Sequence, residues 1–283
     1  MLHAIYRSTG KVNAKPRPAG FSKQRSLESF LTAWEAAGPA TGELVFLNDG
    51  PVEDAQLELM RAAGRVVVRT AQDAMGAYVV AMDLALEQGW PDGDLVYFGE
   101  DDYLYREETF VALAAAADAL PRADHFAPYA TIGHTMPNGE PLHDGLRRPR
   151  LRGEALAEVD GVRWRHATSH TVSYAIRVGA LRADRSLHLL ALRAGGAWDH
   201  TLCLACQGHA PFTVRELLDP QPGASPSRRA KVTVWRVAMT AAALRRRVRG
   251  ARVIAAPQPA LASHMEVGLA AAGTDWTLLK SSA

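Results

Sequence analysis

Apolar positions in the first hundred residues follow two alternating rhythms. Short, mainly apolar runs occur at 2–6, 44–47, 65–68 and 95–98, the length of buried strands. Between them lie stretches spaced three and four apart, the rhythm of amphipathic helices, at 27–37, 52–63 and 77–88. In the first, Leu27, Phe30, Leu31 and Trp34 share one face, and Ser26 is placed to cap the N-terminus. Asn48-Asp49-Gly50 ends the second strand. Strands alternating with helices of ten or more residues predict βαβ units and a parallel sheet.

The alternation then breaks. An Ala-rich helix is expected over 107–120, a short strand over 125–129 and an irregular Gly/Pro/Arg-rich loop over 132–158. Residues 162–177 hold one or two strands, with 172–176 the clearer. A helix begins at 199–206, a Pro/Gly/Ser linker covers 221–227, a basic helix covers 231–249, and 257–283 reads as a tail. No internal repeat is visible.

Composition narrows the class without fixing it. The 283 residues are 48% hydrophobic and 22% charged, as in an ordinary soluble globular protein. A formal net charge of +2 does not imply nucleic acid. No apolar stretch is long enough to span a bilayer. The opening Met1-Leu2-His3-Ala4 lacks a secretory signal, and with only Cys203 and Cys206 in the chain a reducing, cytoplasmic setting is expected. Acidic residues gather between Glu43 and Asp124, and basic ones between Arg228 and Arg252.

Candidate chemistry collects at the strand ends. Glu100, Asp101 and Asp102 follow the run Leu95-Val96-Tyr97-Phe98-Gly99. Three adjacent carboxylates repel, and a divalent metal commonly offsets such charge; a solvated acidic turn has the same sequence. The other three strands end at Tyr6-Arg7-Ser8-Thr9, Asn48-Asp49 and Arg69-Thr70. In an open α/β sheet these ends border one crevice. They supply a cation for phosphate (Arg7), an acid suited to a base or ribose hydroxyl (Asp49), and carboxylates for a metal. That set suits a nucleoside diphosphate with Mg²⁺ or Mn²⁺.

The segment Leu-Val-Tyr-Phe-Gly-Glu-Asp-Asp-Tyr-Leu-Tyr, residues 95–105, resembles the metal-binding strand of GT-A nucleotide-sugar glycosyltransferases, where an Asp-X-Asp-type motif ends the fourth strand. The preceding order of strands is similar, as are Arg7-Ser8-Thr9 and Asn13-Ala14-Lys15-Pro16-Arg17-Pro18, which resemble the nucleotide entry of a bacterial subgroup related to the large inverting family. The layout matches over about residues 1–130 and more loosely beyond. The resemblance implies a GT-A-like α/β fold with a mainly parallel, Rossmann-like sheet and a mixed acceptor-side region. It implies one domain over 1–283, with a nucleotide-sugar half (1–130), an acceptor half (131–220) and a basic helix with tail (221–283). A UDP- or GDP-sugar donor would contact Tyr6, Arg7, Ser8, Lys15, Arg17, Asp49, Gly76, Glu100 and Asp101. Mn²⁺ or Mg²⁺ would be held by Asp102 or Asp101, with Asp102 favoured, and by His264 in Leu261-Ala262-Ser263-His264. Asp199, in Trp198-Asp199-His200, would deprotonate the acceptor hydroxyl, with inversion; it would also serve as a helix cap. Residues 71–76 lack the Arg-Asn pair often found there in the family.

Two rival functions are a nucleotidyltransferase acting on a sugar phosphate and a non-catalytic nucleotide-sugar-binding protein. Ser8-Thr9-Gly10-Lys11 is a poor phosphate loop for the first. His200, Cys203, Cys206 and His209 have metal-ligand types, but steps of three drift around a helix, and the cysteines read as buried apolar residues. Ser169-His170 lacks a nucleophile elbow and reads as a strand lining the acceptor side. The basic helix, 228–252, is a cationic surface helix docked on the core, or a peripheral contact with an anionic membrane. Nucleic acid is not expected there, since no aromatic platform accompanies the charge.

Overall fold

The computed structural model describes residues 1–9, 15–69, 74–151, 153–219 and 223–276. The expected βαβ succession forms: β1 (Leu2–Thr9), α1 (Lys23–Ala36), β2 (Thr41–Asp49), α2 (Asp54–Ala63), β3 (Arg65–Val68), α3 (Ala74–Glu87) and β4 (Leu95–Glu100). β1 pairs in parallel with β2 and β4, and β2 with β3, which sets the order β3-β2-β1-β4.

The second half completes the same sheet. Next come β5 (Tyr103–Tyr105), α4 (Thr109–Ala119), β6 (His125–Phe126) and β7 (Ala130–Ile132). They are followed by β8 (Ala155–Val159), β9 (Val162–His170), β10 (Tyr174–Arg177), α5 (Val178–Ala194) and α6 (Trp198–Cys206). The described chain closes with α7 (Val214–Leu218), α8 (Pro226–Arg249), β11 (Ile254–Gln258) and β12 (Ala262–His264). Beyond β4 the order runs β10-β6-β11-β9-β7, with β10 antiparallel to both β4 and β6. The result is a mixed α/β sheet, parallel in its first half and flanked by helices, as the sequence leads one to expect.

Alternation along the strands sorts side chains onto two faces. Leu2, Ala4 and Tyr6 of β1 join Phe30 of α1, Phe46, and Phe110 and Leu113 of α4 in one core. Ile5, Val45, Val96 and Phe98 join Tyr78 and Met82 of α3 and Leu181 of α5 in the other. Phe30 is the hub of the first: it is fully buried, and its ring meets those of Tyr6, Trp34, Tyr97, Tyr105 and Phe110. Phe30→Ala is expected to cost about 3–5 kcal/mol in urea denaturation; a cost under about 1 kcal/mol would mean the cluster collapses around the gap.

Several expectations are corrected. α1 starts a turn earlier than its apolar rhythm: Ser22 caps it by accepting from the Arg25 N–H. Ser26 is buried instead, 3.0 Å from the Tyr6 hydroxyl. The first turn is polar because it faces away from the core. The stretch 132–158 is not wholly irregular, since β8 pairs with β9 across Asp160-Gly161, both with positive φ (49° and 78°). That Asp-Gly pair is a two-residue hairpin turn. Residues from 257 onward are not simply a tail. β11 lies inside the main sheet between β6 and β9, and β12 pairs with β5. Of the linker expected over 221–227, Pro226 and Ser227 belong to α8, and residues 221–222 lie outside the described set. So do Gly10–Ala14, 70–73 and 277–283.

Candidate functional site

β1 and β4 run side by side, with Arg7 opposite Glu100 in register. This places a cation beside the first acid, and the Arg7 guanidinium pairs with the Glu100 carboxylate while lying 5.8 Å from the Tyr78 ring centre. Gly99 just before it permits close packing: a methyl there would sit 3.1 Å from the Tyr6 ring. Each remaining acid also has its own cation. Lys23, in the first turn of α1, bonds Asp101 at 2.9 Å, and the Thr9 amide donates to the same oxygen. Arg17 bonds Asp102 at 3.1 Å. The sequence leads one to expect a cation that offsets these charges, commonly a divalent metal; in the structure Arg7, Lys23 and Arg17 carry much of that task.

His264 reaches the motif through the small β5–β12 sheet. It is paired in register with Tyr103, stacks on that ring at 4.9 Å, and its Nε2 lies 3.1 Å from Asp102 Oδ2. The segment after β12 is fastened to the loop before α1. Lys15 bonds Glu266 at 2.6 Å, Arg17 donates to the Met265 carbonyl at 2.7 Å, and the Val267 amide donates to the Pro16 carbonyl at 3.0 Å. Chain segments some 250 residues apart thus meet at Asp102.

The three carboxylates do not share one protonation behaviour. Burial pushes Glu100 up to about 7, against the pull of Arg7. Burial also raises Asp101, against Lys23. For Asp102 burial is outweighed by the His264 and Arg17 contacts, and the carboxyl is held below its usual range. Asp102 is thus the member held most firmly as an anion. Its Oδ2 takes both bonds; its Oδ1 is buried and has no hydrogen-bond partner among the described residues. His264 Nδ1 is in the same position.

Asp102 and His264 fit a divalent cation through the pair already in contact, since a carboxylate oxygen and an imidazole nitrogen 3.1 Å apart are spaced as neighbouring ligands of one ion. Among the described residues no three His, Cys, Asp or Glu side chains form a closed metal cage. An open set of that kind suits an ion whose remaining positions are filled by water and substrate phosphate.

Asp199 and His264 line one cavity of about 220 Å³, together with Ser169, His170, Thr171 and His143. Asp199 sits in the first turn of α6. Its Oδ1 accepts from the His200 amide at 2.8 Å, and burial raises its carboxyl pKa. The His200 ring is not directed to the cysteines: its Nε2 bonds the Arg147 carbonyl at 2.8 Å. Cys203 and Cys206 are free and fully buried, with thiol pKa values pushed up by burial.

Other expected residues fall as follows. Ser8 Oγ donates to Asn48 Oδ1 at 2.6 Å, tying the ends of β1 and β2 together. Asp49 ends β2 opposite Thr9. Gly76 lies in the first turn of α3, which begins at Ala74. Tyr6 is corrected: its side chain is a fully buried core group bonded to Ser26, so it does not face the crevice. Lys23, Tyr103 and Thr171 were not foreseen. Lys23 carried a faint signal as a cation just after a capping serine, but nothing local pointed it at Asp101.

Behind the cavity wall lies a buried histidine group. His170 Nε2 is 3.0 Å from His125 Nδ1, and His188 Nδ1 is 2.8 Å from the Tyr78 hydroxyl. Burial lowers all three, His170 to about 4 and His188 to about 3. A group with a depressed folded-state pKa favours folding above its unfolded value and loses that contribution as pH falls. Stability is therefore expected to drop from pH about 6.5 toward 4, by on the order of 3 kcal/mol for each of His170 and His188. Glu100, raised, acts in the opposite sense between about 7 and 4.5. Denaturation midpoints across this range should fall with acid, and Glu100→Gln should steepen the fall. A flat profile for both proteins would contradict the burial of neutral imidazoles.

No family model matches the chain, and no curated protein matches it in sequence. Among solved structures it is similar to S. aureus TarS 1–349, with 15% identity over 72% of this chain and 54% of that one (TM-score 0.41). It is also similar to glucosyl-3-phosphoglycerate synthase from Mycobacterium tuberculosis in complex with Mn²⁺, UDP and glucosyl-3-phosphoglycerate, with 14% identity over 44% and 42% (TM-score 0.31). A third, 4-diphosphocytidyl-2C-methyl-D-erythritol synthase, has 14% identity over 83% and 97% (TM-score 0.40). The chain spans about half the length of the TarS chain it matches. Likenesses of this size assign no activity, and the fold class rests on the sheet order described above.

Proposed function

We propose that this chain transfers a sugar from a nucleoside diphosphate sugar to an acceptor hydroxyl, with a divalent cation, Mn²⁺ or Mg²⁺. One observation carries the reading: an ionised carboxylate, Asp102, one of whose oxygens is buried and has no hydrogen-bond partner among the described residues, is bonded to a histidine that opens onto the same cavity as a second, half-buried acid, Asp199. When bound, the cation supplies Lewis-acid stabilisation of the departing diphosphate.

The residues divide the work. Asp102 and His264 hold the cation, and Asp101 is committed to Lys23 and the Thr9 amide. Arg17, Lys15 and Arg7 are cations near the strand ends, each paired with a carboxylate; a bound cation that offsets those carboxylates would leave them to attract the diphosphate. Asp49, which ends β2, contacts the nucleoside in this reading, and Ser8 positions the β2 end through Asn48. Across the cavity Asp199 takes the proton from the acceptor hydroxyl. Its raised pKa makes it a stronger base than an exposed aspartate, and attack from that side, opposite the departing diphosphate, inverts the anomeric centre. The segment around His143 and Leu146 and residues Ser169, His170 and Thr171 wall the acceptor side.

A thermal-shift titration with UDP, GDP and other nucleoside diphosphates, with and without Mn²⁺, tests this reading. A diphosphate at a hundred times its Kd stabilises the fold by about 2.7 kcal/mol. The expected result is a rise in Tm for one base that needs the metal. No shift with any diphosphate, or release of pyrophosphate from a nucleoside triphosphate and a sugar phosphate, would contradict it.

A further inference from the structure

α8 presents two different faces. Val232, Arg236, Met239 and Ala243 are buried, and Met239 and Ala243 join Leu187, Leu202, Cys206 and Phe212 in a third small core with α5 and α6. Arg236 fixes the docking by donating to the carbonyls of Ala194 and Glu216, and Arg246 pairs with buried Asp184. This much is the docked cationic helix expected from sequence.

The opposite face is apolar and in solvent. Ala230, Val234, Val237, Ala241, Leu244 and Val248 follow one another at steps of four and three, so they form a single stripe along the helix. All six are exposed, Val234 by 61% and Val248 by 87%. α7 packs beside it, where Thr233 donates to the Leu217 carbonyl, and adds Val214 and Leu218, 73% and 81% exposed. Exposed apolar residues therefore stand on two adjoining helices.

Cations border that surface. α8 contains no Asp or Glu. Lys231, Arg245 and Arg249 lie on one flank of the stripe and Arg247 on the other, and none of the four has an ion-pair partner among the described residues. A second copy of this face would bring these like charges together, which opposes self-pairing. Nucleic acid would find no aromatic group on the stripe; Trp235 is turned inward under Arg193, 5.0 Å from its ring.

We propose that the α7–α8 face docks on an anionic lipid bilayer, with the valines and Leu244 entering the headgroup boundary and the flanking Lys and Arg side chains reaching lipid phosphates. Long basic side chains suit this placement because their stems lie along apolar surface while the charges stay in water. Contacts of this kind depend on both apolar area and surface charge. This inference stands apart from the transfer reaction: no residue of the stripe lines the Asp199 cavity.

The test is cosedimentation of the full chain with vesicles of phosphatidylcholine alone and with about one-third phosphatidylglycerol. Binding is expected only to the anionic vesicles, weakening by roughly tenfold or more between low and high salt. The triple variants V234S/V237S/V248S and R245Q/R247Q/R249Q, whose positions are exposed and so leave the fold intact by thermal melting, should each lose about tenfold or more in affinity. No sedimentation with anionic vesicles would overturn the proposal. So would sedimentation that both variants leave unchanged, or a dimer in solution that the valine variant dissociates, which would assign the stripe to a second copy.

Discussion

Asp102→Asn is expected to lower kcat/KM for the sugar donor by about a thousandfold and to abolish its dependence on Mn²⁺. The reason lies in the two oxygens of this carboxylate. Oδ2 is occupied by Arg17 and His264, and buried Oδ1 has no hydrogen-bond partner among the described residues. An amide here is neutral, and whichever way it turns it places an N–H against Arg17 and His264 or into the cation's position. Lewis-acid stabilisation of a departing diphosphate is worth several kcal/mol, and each 1.36 kcal/mol is tenfold in rate. The comparison with Asp101→Asn is informative, because Asp101 is already neutralised by Lys23 and the Thr9 amide. That variant should retain metal dependence. Initial rates across a Mn²⁺ titration check both. An Asp102→Asn protein within tenfold of the parent, with unchanged metal dependence, would place the cation elsewhere.

Asp199→Asn should cost roughly a hundred- to ten-thousandfold in kcat while donor binding persists, the range expected on losing a general base. Its side-chain oxygen can still accept from the His200 amide, so the start of α6 is preserved. Stability should change little, since a neutral amide is less costly to bury than a carboxylate whose pKa burial already raises. The pH dependence supplies a second readout. Asp199 must be ionised to act, so the parent loses rate as pH falls through a value above that of an ordinary aspartate. The variant's residual rate should lack that acidic limb. Unchanged turnover with intact donor binding would mean that another group takes the proton.

The first half of the fold was readable because its signals are local. Runs such as Leu44–Leu47 and Leu95–Phe98 are buried on both faces, and the helices between them repeat at helical spacing. The strand-end position of Glu100–Asp102 follows from the same pattern. What neutralises those acids did not, because Arg17 and Lys23 reach them across 85 and 78 residues of sequence, and no local rhythm records such a pairing. The boundary of α1 was misplaced for a related reason. Its first turn, Lys23-Gln24-Arg25, is polar, so the apolar rhythm begins only at Leu27.

The C-terminal strands were hidden by composition. β11 reads Ile-Ala-Ala-Pro-Gln, with a proline that argues against a central strand, yet it lies between β6 and β9. β12 has three residues and gains its structure only by pairing with β5. His264 was identified by resemblance, but its stacking on Tyr103 depends on that pairing. The Asp160-Gly161 dipeptide is a local turn signal, but the preceding Ala155–Val159 strand alternates weakly and so hides the hairpin. The basic helix was recognised from its charge, while the division of its faces emerged only from what α5, α6 and α7 cover.

Manganese anomalous scattering from crystals grown with Mn²⁺ and the stabilising nucleoside diphosphate tests the whole account most directly. The prediction is one strong peak at bonding distance from the Asp102 carboxylate and beside His264, with the diphosphate bound to the same ion. A diphosphate seated away from the ends of β1 and β4, or seated there with no metal at Asp102, would contradict it.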